Sequence, residues 1–416
     1  MAGGAGTHQT LRSLGLLEGA EVEGPAPGTK PVAGLASDSR EVARDGVFFA
    51  LPGTAAHGAK FVRYALRMGA GAVVTDAAGA AVIAADAEVP DPLAVPVLIH
   101  AAPRLALARA AARWWGAQPE VVAAVTGTNG KTSVASFTRQ LWAALGHRAV
   151  SLGTTGVEGA LRRPLAHTTP DPLTLHAMLA ELAGEGVSHA AMEASSHGLA
   201  QHRLDGVRLS AAAFTNLSRD HLDYHPTIED YIAAKLGLFG RVLPEGGLAV
   251  INLDDPVGVE AAALARSRGQ RVIGVGRAAE ADLRLQGAEF DRTGQVLHLG
   301  WARANVAVAL KLIGGFQGEN AAIAAGLVIG LGADPMEVFS AMVGLRPVRG
   351  RMELAATRAN GAAVFVDYAH TPASVGAALR ALRPHVEGRI VVVVGAGGDR
   401  DPGKRPMMGA EAAAAA

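Results

Sequence analysis

The run Val121-Val-Ala-Ala-Val-Thr-Gly-Thr-Asn-Gly-Lys-Thr132 joins an apolar, strand-like stretch to a glycine turn, a Lys-Thr pair and an amphipathic helix predicted over 132–145. Glycines let backbone N–H groups curl around phosphate oxygens, and the helix N-terminus adds positive potential. In that frame Lys131 reaches the terminal phosphates of a nucleotide and Thr132 reaches magnesium. Two residues separate Gly127 from Gly130 here, where the usual phosphate loop has about four. A structural glycine turn carrying a surface lysine is the competing reading, and the strand–turn–helix context speaks against it.

Ligands of open α/β sheets sit at the carboxyl ends of the strands, so acidic groups that hold magnesium belong there. Glu193 closes the apolar run 187–192 and leads into Ala-Ser-Ser-His-Gly-Leu199. The run 209–215 leads into Asn216-Leu-Ser-Arg-Asp-His-Leu-Asp-Tyr-His225, which packs Asp220, His221, Asp223 and His225 into six residues, a dense set of metal ligands and proton carriers. An exposed polar turn is the other reading of that loop. Lys235 lies in the apolar stretch Tyr231-Ile-Ala-Ala-Lys-Leu-Gly-Leu-Phe239, where an unpaired ammonium is costly. It snorkels outward, pairs with an acid or is chemically altered, and the residues alone favour snorkelling. Further on, Asp367-Tyr-Ala-His-Thr-Pro372 and the glycine loop bearing Arg400, Lys404 and Arg405 each follow a strand-like run. That loop suits a second anionic contact, or a solvated turn.

These groups need a scaffold. The chain has 416 residues, 38 basic and 38 acidic, with 50% apolar residues, 52 glycines and no cysteine. The length suggests two to four domains. Balanced charge argues against wrapping nucleic acid or adhering to an anionic membrane surface. Without cysteine there are no disulfides, thiolate zinc sites or cysteine nucleophiles. The N-terminus lacks the charged start and apolar stretch of a signal peptide, and no window approaches about 18 strongly apolar residues, so a soluble cytoplasmic protein is the expectation. Only Lys30, Lys60, Lys131, Lys235, Lys311 and Lys404 are lysines among the 38 basic residues. In a chain so biased to arginine, a lysine that persists can be one needed for a compact charge or a reactive amine.

Residues 1–117 read as a small α/β unit. From 118 to 344, strand-like runs at Val121–Thr126, 187–192, 209–215, Leu248–Asn252 and 271–275 alternate with helix-length segments, which implies a mostly parallel, doubly wound sheet. Residues 280–300 read as an antiparallel excursion, and a helix is predicted over 320–331. Residues 345–416 carry runs at 362–367 and 389–394 with helices near 374–382 and from 407, too little to enclose a sheet core. The chain is therefore expected to end inside its third domain.

With these residues assembled, the chain resembles the Mur ligases, ATP-dependent enzymes that add amino acids to the peptidoglycan precursor, over almost its whole length. The resemblance is carried by Ser37-Asp-Ser-Arg40, Thr126-Gly-Thr-Asn-Gly-Lys-Thr132, Thr168-Thr-Pro-Asp-Pro172, Glu193-Ala-Ser-Ser-His-Gly-Leu-Ala-Gln-His-Arg203 and the 216–225 loop. Gly350-Arg-Met-Glu353, Asp367-Tyr-Ala-His-Thr-Pro372 and Gly397-Gly-Asp-Arg-Asp-Pro-Gly-Lys-Arg-Pro406 complete it. His167 stands where related sequences often place asparagine. The resemblance implies a three-domain α/β architecture: a UDP-muramoyl-binding N-terminal domain, a phosphate-loop central domain and an incomplete Rossmann-like C-terminal ligase domain. It implies that Ser37, Ser39 and the turn Thr54, Ala55 and Ala56 hold the uridine nucleotide, and that Thr168, Thr169, Ser195, Gln201 and Arg203 hold the muramoyl-dipeptide. Gly127, Thr128, Asn129, Gly130, Lys131, Thr132 and Ser133 would bind ATP, with Asn320, Arg351 and Asp367 also on the nucleotide side. Glu193 and His221 would serve magnesium together with Thr132. Lys235 matches the family's carbamylated lysine, whose CO2-derived carbamate offers oxygens to a hard cation, which reverses the snorkelling preference.

The reaction so implied is the addition of a third residue, a diamino acid, to UDP-N-acetylmuramoyl-L-alanyl-D-glutamate in cell-wall synthesis, and so in cell shape and division. The dipeptide carboxylate attacks the γ-phosphate of ATP, the amino group attacks the acyl phosphate, and phosphate leaves. Lysine, ornithine and diaminopimelate all remain open as that residue, and a monomer is expected. Two other readings stand beside this one: a folylpolyglutamate-synthase-like ligase, which would not be expected to carry the 37–40 and 195–203 motifs, and a non-catalytic remnant that binds ATP and a UDP-sugar.

Overall fold

The structure, a computed structural model, describes residues 9–53, 56–89, 94–221, 223–396 and 403–416. Two compact units form. One takes residues 1–118 together with 170–185 and 200–207, and the other takes 119–169, 186–199 and 208–416.

The first unit is a five-stranded sheet of β1 (Glu21–Glu23), β2 (Leu35–Ala36), β3 (Val47–Phe49), β4 (Ala72–Thr75) and β5 (Val97–Ile99), in the order β1-β5-β4-β3-β2. All neighbours are parallel except β1 against β5. Successive side chains of a strand point to opposite faces, and both faces are apolar. Val47, Phe49, Val74 and Leu98 meet Leu14 and Leu107 on one side. Phe48, Val73 and Val97 meet Val62 and Ala65 on the other. The helix Pro172–Gly184 packs beside the helix Pro103–Trp115, and its Leu173 reaches the first of these cores.

The second unit holds a ten-stranded sheet. Its strands are β6 (Val121–Thr126), β7 (Ala149–Gly153), β8 (Gly156–Gly159), β9 (His189–Glu193), β10 (Ala211–Phe214), β11 (Leu248–Asn252), β12 (Arg271–Gly276), β13 (Leu283–Phe290), β14 (Gln295–Trp301) and β15 (Ala304–Leu310). They run β15-β14-β13-β12-β11-β10-β6-β9-β7-β8. From β7 across to β13 every ladder is parallel; β8, β14 and β15 are antiparallel additions. The antiparallel excursion read from residues 280–300 is thus present, with β15 as a further strand. Helices Lys131–Ala144 and Gly315–Gly330 cover the sheet through Phe137, Leu141, Ile323 and Leu327, each such burial stabilising by about 1.5–3 kcal/mol. Leaving β6, the chain goes to β7 on one side and later returns as β10 on the other. That makes the carboxyl end of β6 a switch point, where open α/β sheets form their ligand crevice.

Register then levels the chemistry. Val125 pairs with Glu193 and Thr126 with Phe214, so the phosphate loop, Glu193 and the 215–225 loop leave three adjacent strands at one height.

Residues 353–416 form a smaller assembly. Here β16 (Glu353–Thr357) and β17 (Ala363–Val366) pair antiparallel, and helices Pro372–Leu382 and Lys404–Ala415 share a core of Val375, Leu379, Ile390, Met408 and Ala412. The run 389–394, expected as a strand, forms none: it has no ladder partner among the described residues, and Val393 is 99% exposed. His385 ties this assembly to the central sheet. Its Nε2 accepts from Gly314 N at 2.9 Å while Nδ1 faces the Asp291 carbonyl at 2.6 Å, so the proton sits on Nδ1.

At the other end of β9 from Glu193, the His189 ring lies 4.0 Å from that of His147 and 4.9 Å from that of Trp142. Burial, with the neighbouring His147 adding to it, lowers the His189 pKa to about 4. An unfolded histidine takes its proton near pH 6.5, so the unfolded chain binds more protons between those values and stability falls as the pH drops from about 6.5 towards 4. His189→Phe keeps a ring in place without the titration. Its melting temperature should fall less steeply than that of the wild type over this range, and parallel slopes would refute the assignment.

Candidate active site at the β6 switch point

The helix after β6 starts without a side-chain cap because its N-cap is Gly130, which leaves its first N–H groups to another acceptor. Gly130 has φ +89°, and a Cβ there would lie 2.4 Å from Asn320 Oδ1. Glycine at this position therefore brings Asn320, from the Gly315–Gly330 helix, directly against the loop. The loop is clamped from the β10 side. Thr215 Oγ1 donates to Asn129 O at 2.6 Å, Asn216 Oδ1 accepts from Asn129 N at 3.0 Å, and Thr128 Oγ1 takes Ser218 N at 2.9 Å. The Tyr231 hydroxyl stands 3.0 Å from the same Thr128 oxygen. Asp255 holds the far side, accepting from Leu217 N at 2.7 Å while capping the helix Pro256–Ser267, a cap of about 1 kcal/mol.

Lys131 and Lys235 converge on one carbonyl. Lys131 Nζ donates to Gly127 O at 2.9 Å and Thr128 O at 2.7 Å, and Lys235 Nζ donates to Gly127 O at 2.7 Å. Lys235 is 1% exposed, with its amine 4.4 Å from the centre of the Tyr231 ring. The snorkelling expected from the residues alone is overturned: the stem runs inward, because the loop carbonyl offers an acceptor inside. No carboxylate lies within ion-pair distance of it among the described residues. Burial holds its pKa well below the usual lysine value, and the Lys131 charge lowers it further. The Lys131 pKa is also lowered by burial, opposed by Glu193 and Asp220.

Glu193 is 2% exposed. Its Oε1 accepts from Thr154 N at 2.7 Å, its Oε2 faces Thr154 Oγ1 at 3.4 Å, and its backbone carbonyl takes Thr169 Oγ1 at 2.9 Å. A Cβ at Gly153 would lie 2.0 Å from Oε1, so this strand end admits only glycine without moving the carboxylate. Thr169 Oγ1 also accepts from Ser195 N, and Ser195 Oγ accepts from Gly198 N, each at 3.0 Å. Thr168 Oγ1 is 3.0 Å from Thr154 Oγ1.

The 220–225 loop does not close as the dense ligand set its composition suggested. Asp220 Oδ2 lies 3.6 Å from His221 Nε2, but the rings of His197, His221, Tyr224, His225 and Tyr231 pack on one another instead. Among the described residues no group of three or more His, Asp or Glu could hold a metal ion. His221 has φ +54°, a conformation that histidine adopts more readily than most residues. Its pKa is lowered by burial and by the two lysines. Magnesium takes one or two carboxylates and completes its shell with phosphate oxygens and water. Glu193 beside the phosphate loop and the Thr132 hydroxyl fit that donor chemistry; a closed protein cage does not form.

Just before the smaller assembly, an Arg351 guanidinium nitrogen donates to Thr132 Oγ1 at 3.3 Å, and the guanidinium stacks on Tyr368 at 4.8 Å. Asp367 accepts from Met352 N and Ala369 N, each at 2.9 Å, and so fixes the turn that presents Arg351. In the first unit, Ser37 and the buried Ser39 follow β2 on either side of Asp38, which Arg40 clamps and whose pKa falls to about 2. Gln201 Oε1 accepts from Arg203 at 2.8 Å. Ala56 is partly buried, while Thr54, Ala55 and the 397–402 stretch with Arg400 lie outside the described residues. Thr154, Tyr231 and Asp255 escaped the sequence reading. Only Gly153-Thr-Thr-Gly156, a polar turn closing β7, carried a signal for the first of them.

A parallel α/β sheet with a phosphate loop at its switch point, an acidic strand end beside it and two lysines on the loop is a nucleotide-binding enzyme of the phosphate-loop class. Family models place it more closely: "Mur ligase family, catalytic domain" matches residues 31–115, "Mur ligase middle domain" 125–328 and "Mur ligase, glutamate ligase domain" 350–416. The chain is 50% identical over 393 residues to the UDP-N-acetylmuramoyl-L-alanyl-D-glutamate--2,6-diaminopimelate ligase of Bradyrhizobium diazoefficiens, covering 94% of this chain and 79% of that one. It is 48% identical to the protein of the same name from Zymomonas mobilis, covering 97% and 81%. A solved structure under that ligase name superposes with a TM-score of 0.79 at 31% identity, over 99% of this chain and 81% of the other. The chain belongs to the Mur ligase family, ATP-dependent enzymes that form amide bonds. No described helix is long and apolar enough to cross a membrane.

Proposed function

We propose that the chain joins 2,6-diaminopimelate to UDP-N-acetylmuramoyl-L-alanyl-D-glutamate, hydrolysing ATP to ADP and phosphate. The observation that carries this reading is the buried, carboxylate-free Lys235 amine on the Gly127 carbonyl. As a neutral amine its lone pair attacks CO2; an N–C bond forms, a proton leaves, and an anionic carbamate stands beside Lys131. The charges of the two lysines then attract where two ammonium groups repelled.

In this reading residues 118–344 bind ATP, with Gly127 to Ser133 cradling the phosphates and Asn320 reaching the nucleotide. Residues 345–416 supply Arg351 and Asp367. Residues 1–117 take the uridine nucleotide through Ser37, Ser39 and the 54–56 turn. Thr168, Thr169, Ser195, Gln201 and Arg203 hold the muramoyl-dipeptide. Thr132 and Glu193 would hold magnesium, joined in this reading by His221 and the Lys235 carbamate, and the ion would supply charge neutralisation at the phosphates. Lys131 and Arg351 stabilise the negative charge of the transferring phosphoryl group as the dipeptide carboxylate attacks. Positioning of that carboxylate and then of the amine makes up the rest of the catalysis. The 37–40 and 195–203 motifs, with a relative at 50% identity named for this reaction, support it over a folylpolyglutamate-type ligase.

The test is amino-acid-dependent phosphate release from the UDP-muramoyl-dipeptide. Diaminopimelate should drive it, and lysine and ornithine should drive it far less. No release with any of the three, alongside measurable ATP binding, would establish a binding-only protein instead.

A further inference from the structure

The turn between β7 and β8 carries a hydroxyl that none of these roles uses. The geometry points to Thr154 as a positioning residue that couples occupancy of the muramoyl-dipeptide site to the metal-binding state of Glu193, an inference that rests on the reading above.

Two hydroxyls and a carboxylate form a chain there. A carboxylate only accepts, so in the 3.4 Å contact the Thr154 hydroxyl donates to Glu193 Oε2. Its single proton is then spent, and across the 3.0 Å contact it is Thr168 that donates to Thr154. The chain runs from Thr168 through Thr154 to Glu193. The other carboxylate oxygen is held independently by Thr154 N at 2.7 Å, and the backbone at Gly153 is packed against it.

Thr168 also has only one proton. Once it donates to an anionic oxygen of the dipeptide, it can no longer donate to Thr154 and becomes an acceptor for it. The Thr154 proton then turns from the long contact with Oε2 to the shorter one with Thr168. Oε2 is released to a metal ion, while the backbone N–H keeps the carboxylate aimed through Oε1. Dipeptide and metal therefore favour each other's binding, and such coupling is reciprocal.

The test uses the full chain, Mn2+ as the metal probe with ADP present, and electron paramagnetic resonance to count free Mn2+, with and without the UDP-muramoyl-dipeptide. In the wild type the dipeptide should tighten Mn2+ binding about 5-fold or more. Thr154→Val should bind Mn2+ without the dipeptide about as tightly as the wild type does with it, and gain nothing further from the dipeptide, because Oε2 is already free and the backbone N–H still aims the carboxylate. Thr154→Ser should restore the coupling. The side chain is exposed in a turn, so melting temperatures of all three proteins should agree. Coupling in Thr154→Val equal to the wild type, or wild type that binds both ligands without coupling, overturns the role of Thr154 alone. Wild type that binds no dipeptide overturns the functional reading and this inference with it.

Discussion

Lys131→Ala should lower dipeptide-dependent ADP formation by about 1,000-fold, the upper range for removing one preorganised donor from a developing charge. In the structure its ammonium is held on the Gly127 and Thr128 carbonyls, a neutral resting place that phosphate oxygens outcompete by charge. Burial weakens its hold on the proton, while Glu193 and Asp220 oppose that loss. Lys131→Arg should not restore turnover, since a planar fork cannot replace a compact charge donating to two carbonyls of one turn. Stability should separate from activity. Lys131 bonds only to two carbonyls of its own turn and packs no core, so the melting temperature of Lys131→Ala should change far less than its activity. A coupled ADP assay and a thermal melt on the same preparation decide this, and near-normal turnover would remove Lys131 from the phosphate site.

What could be read from sequence was local. The 121–132 run announces a strand, a turn and a helix because each signal lies within a few residues of the next, and β6 and its helix form there with Lys131 at the first turn. Glu193 was legible as an acid ending an apolar run. Its partner Thr154 was not, because the contact joins residues 39 apart in the chain. Lys235 was placed outward by helical pattern alone, and what draws it inward is a carbonyl 108 residues away. The 389–394 run misled for a different reason: β-branched residues announce a strand, but a strand also needs a neighbour to pair with. Glu353–Thr357, with two alanines and a glutamate, has too little β-propensity to announce itself, yet it pairs with Ala363–Val366. The helix Pro172–Gly184 folds with the first unit although the strands around it in sequence belong to the second, an arrangement that no periodicity encodes.

Lys235→Ala should cut activity by about 100-fold, the cost typical of losing a group that supports a metal site, and short carboxylates such as formate or acetate should restore part of it. The rescue follows from the cavity. Truncation to alanine leaves a space beside Gly127 O and the Tyr231 ring into which a small anion can bring the oxygens that the carbamate supplied. Lys235→Arg should stay inactive with or without additive, because a guanidinium neither adds CO2 nor leaves room for a carboxylate. Wild type stripped of CO2 should lose activity and regain it with bicarbonate, since the carbamate carbon comes from CO2. Burial and the Lys131 charge lower the Lys235 pKa well below its usual value, so bicarbonate should restore activity at lower pH than an exposed lysine would allow. A 13C resonance from labelled bicarbonate, present in wild type and absent from Lys235→Ala, assigns the carbamate to this residue. Wild-type-like turnover of Lys235→Ala without any additive would show instead that the buried amine is only a strut under the phosphate loop.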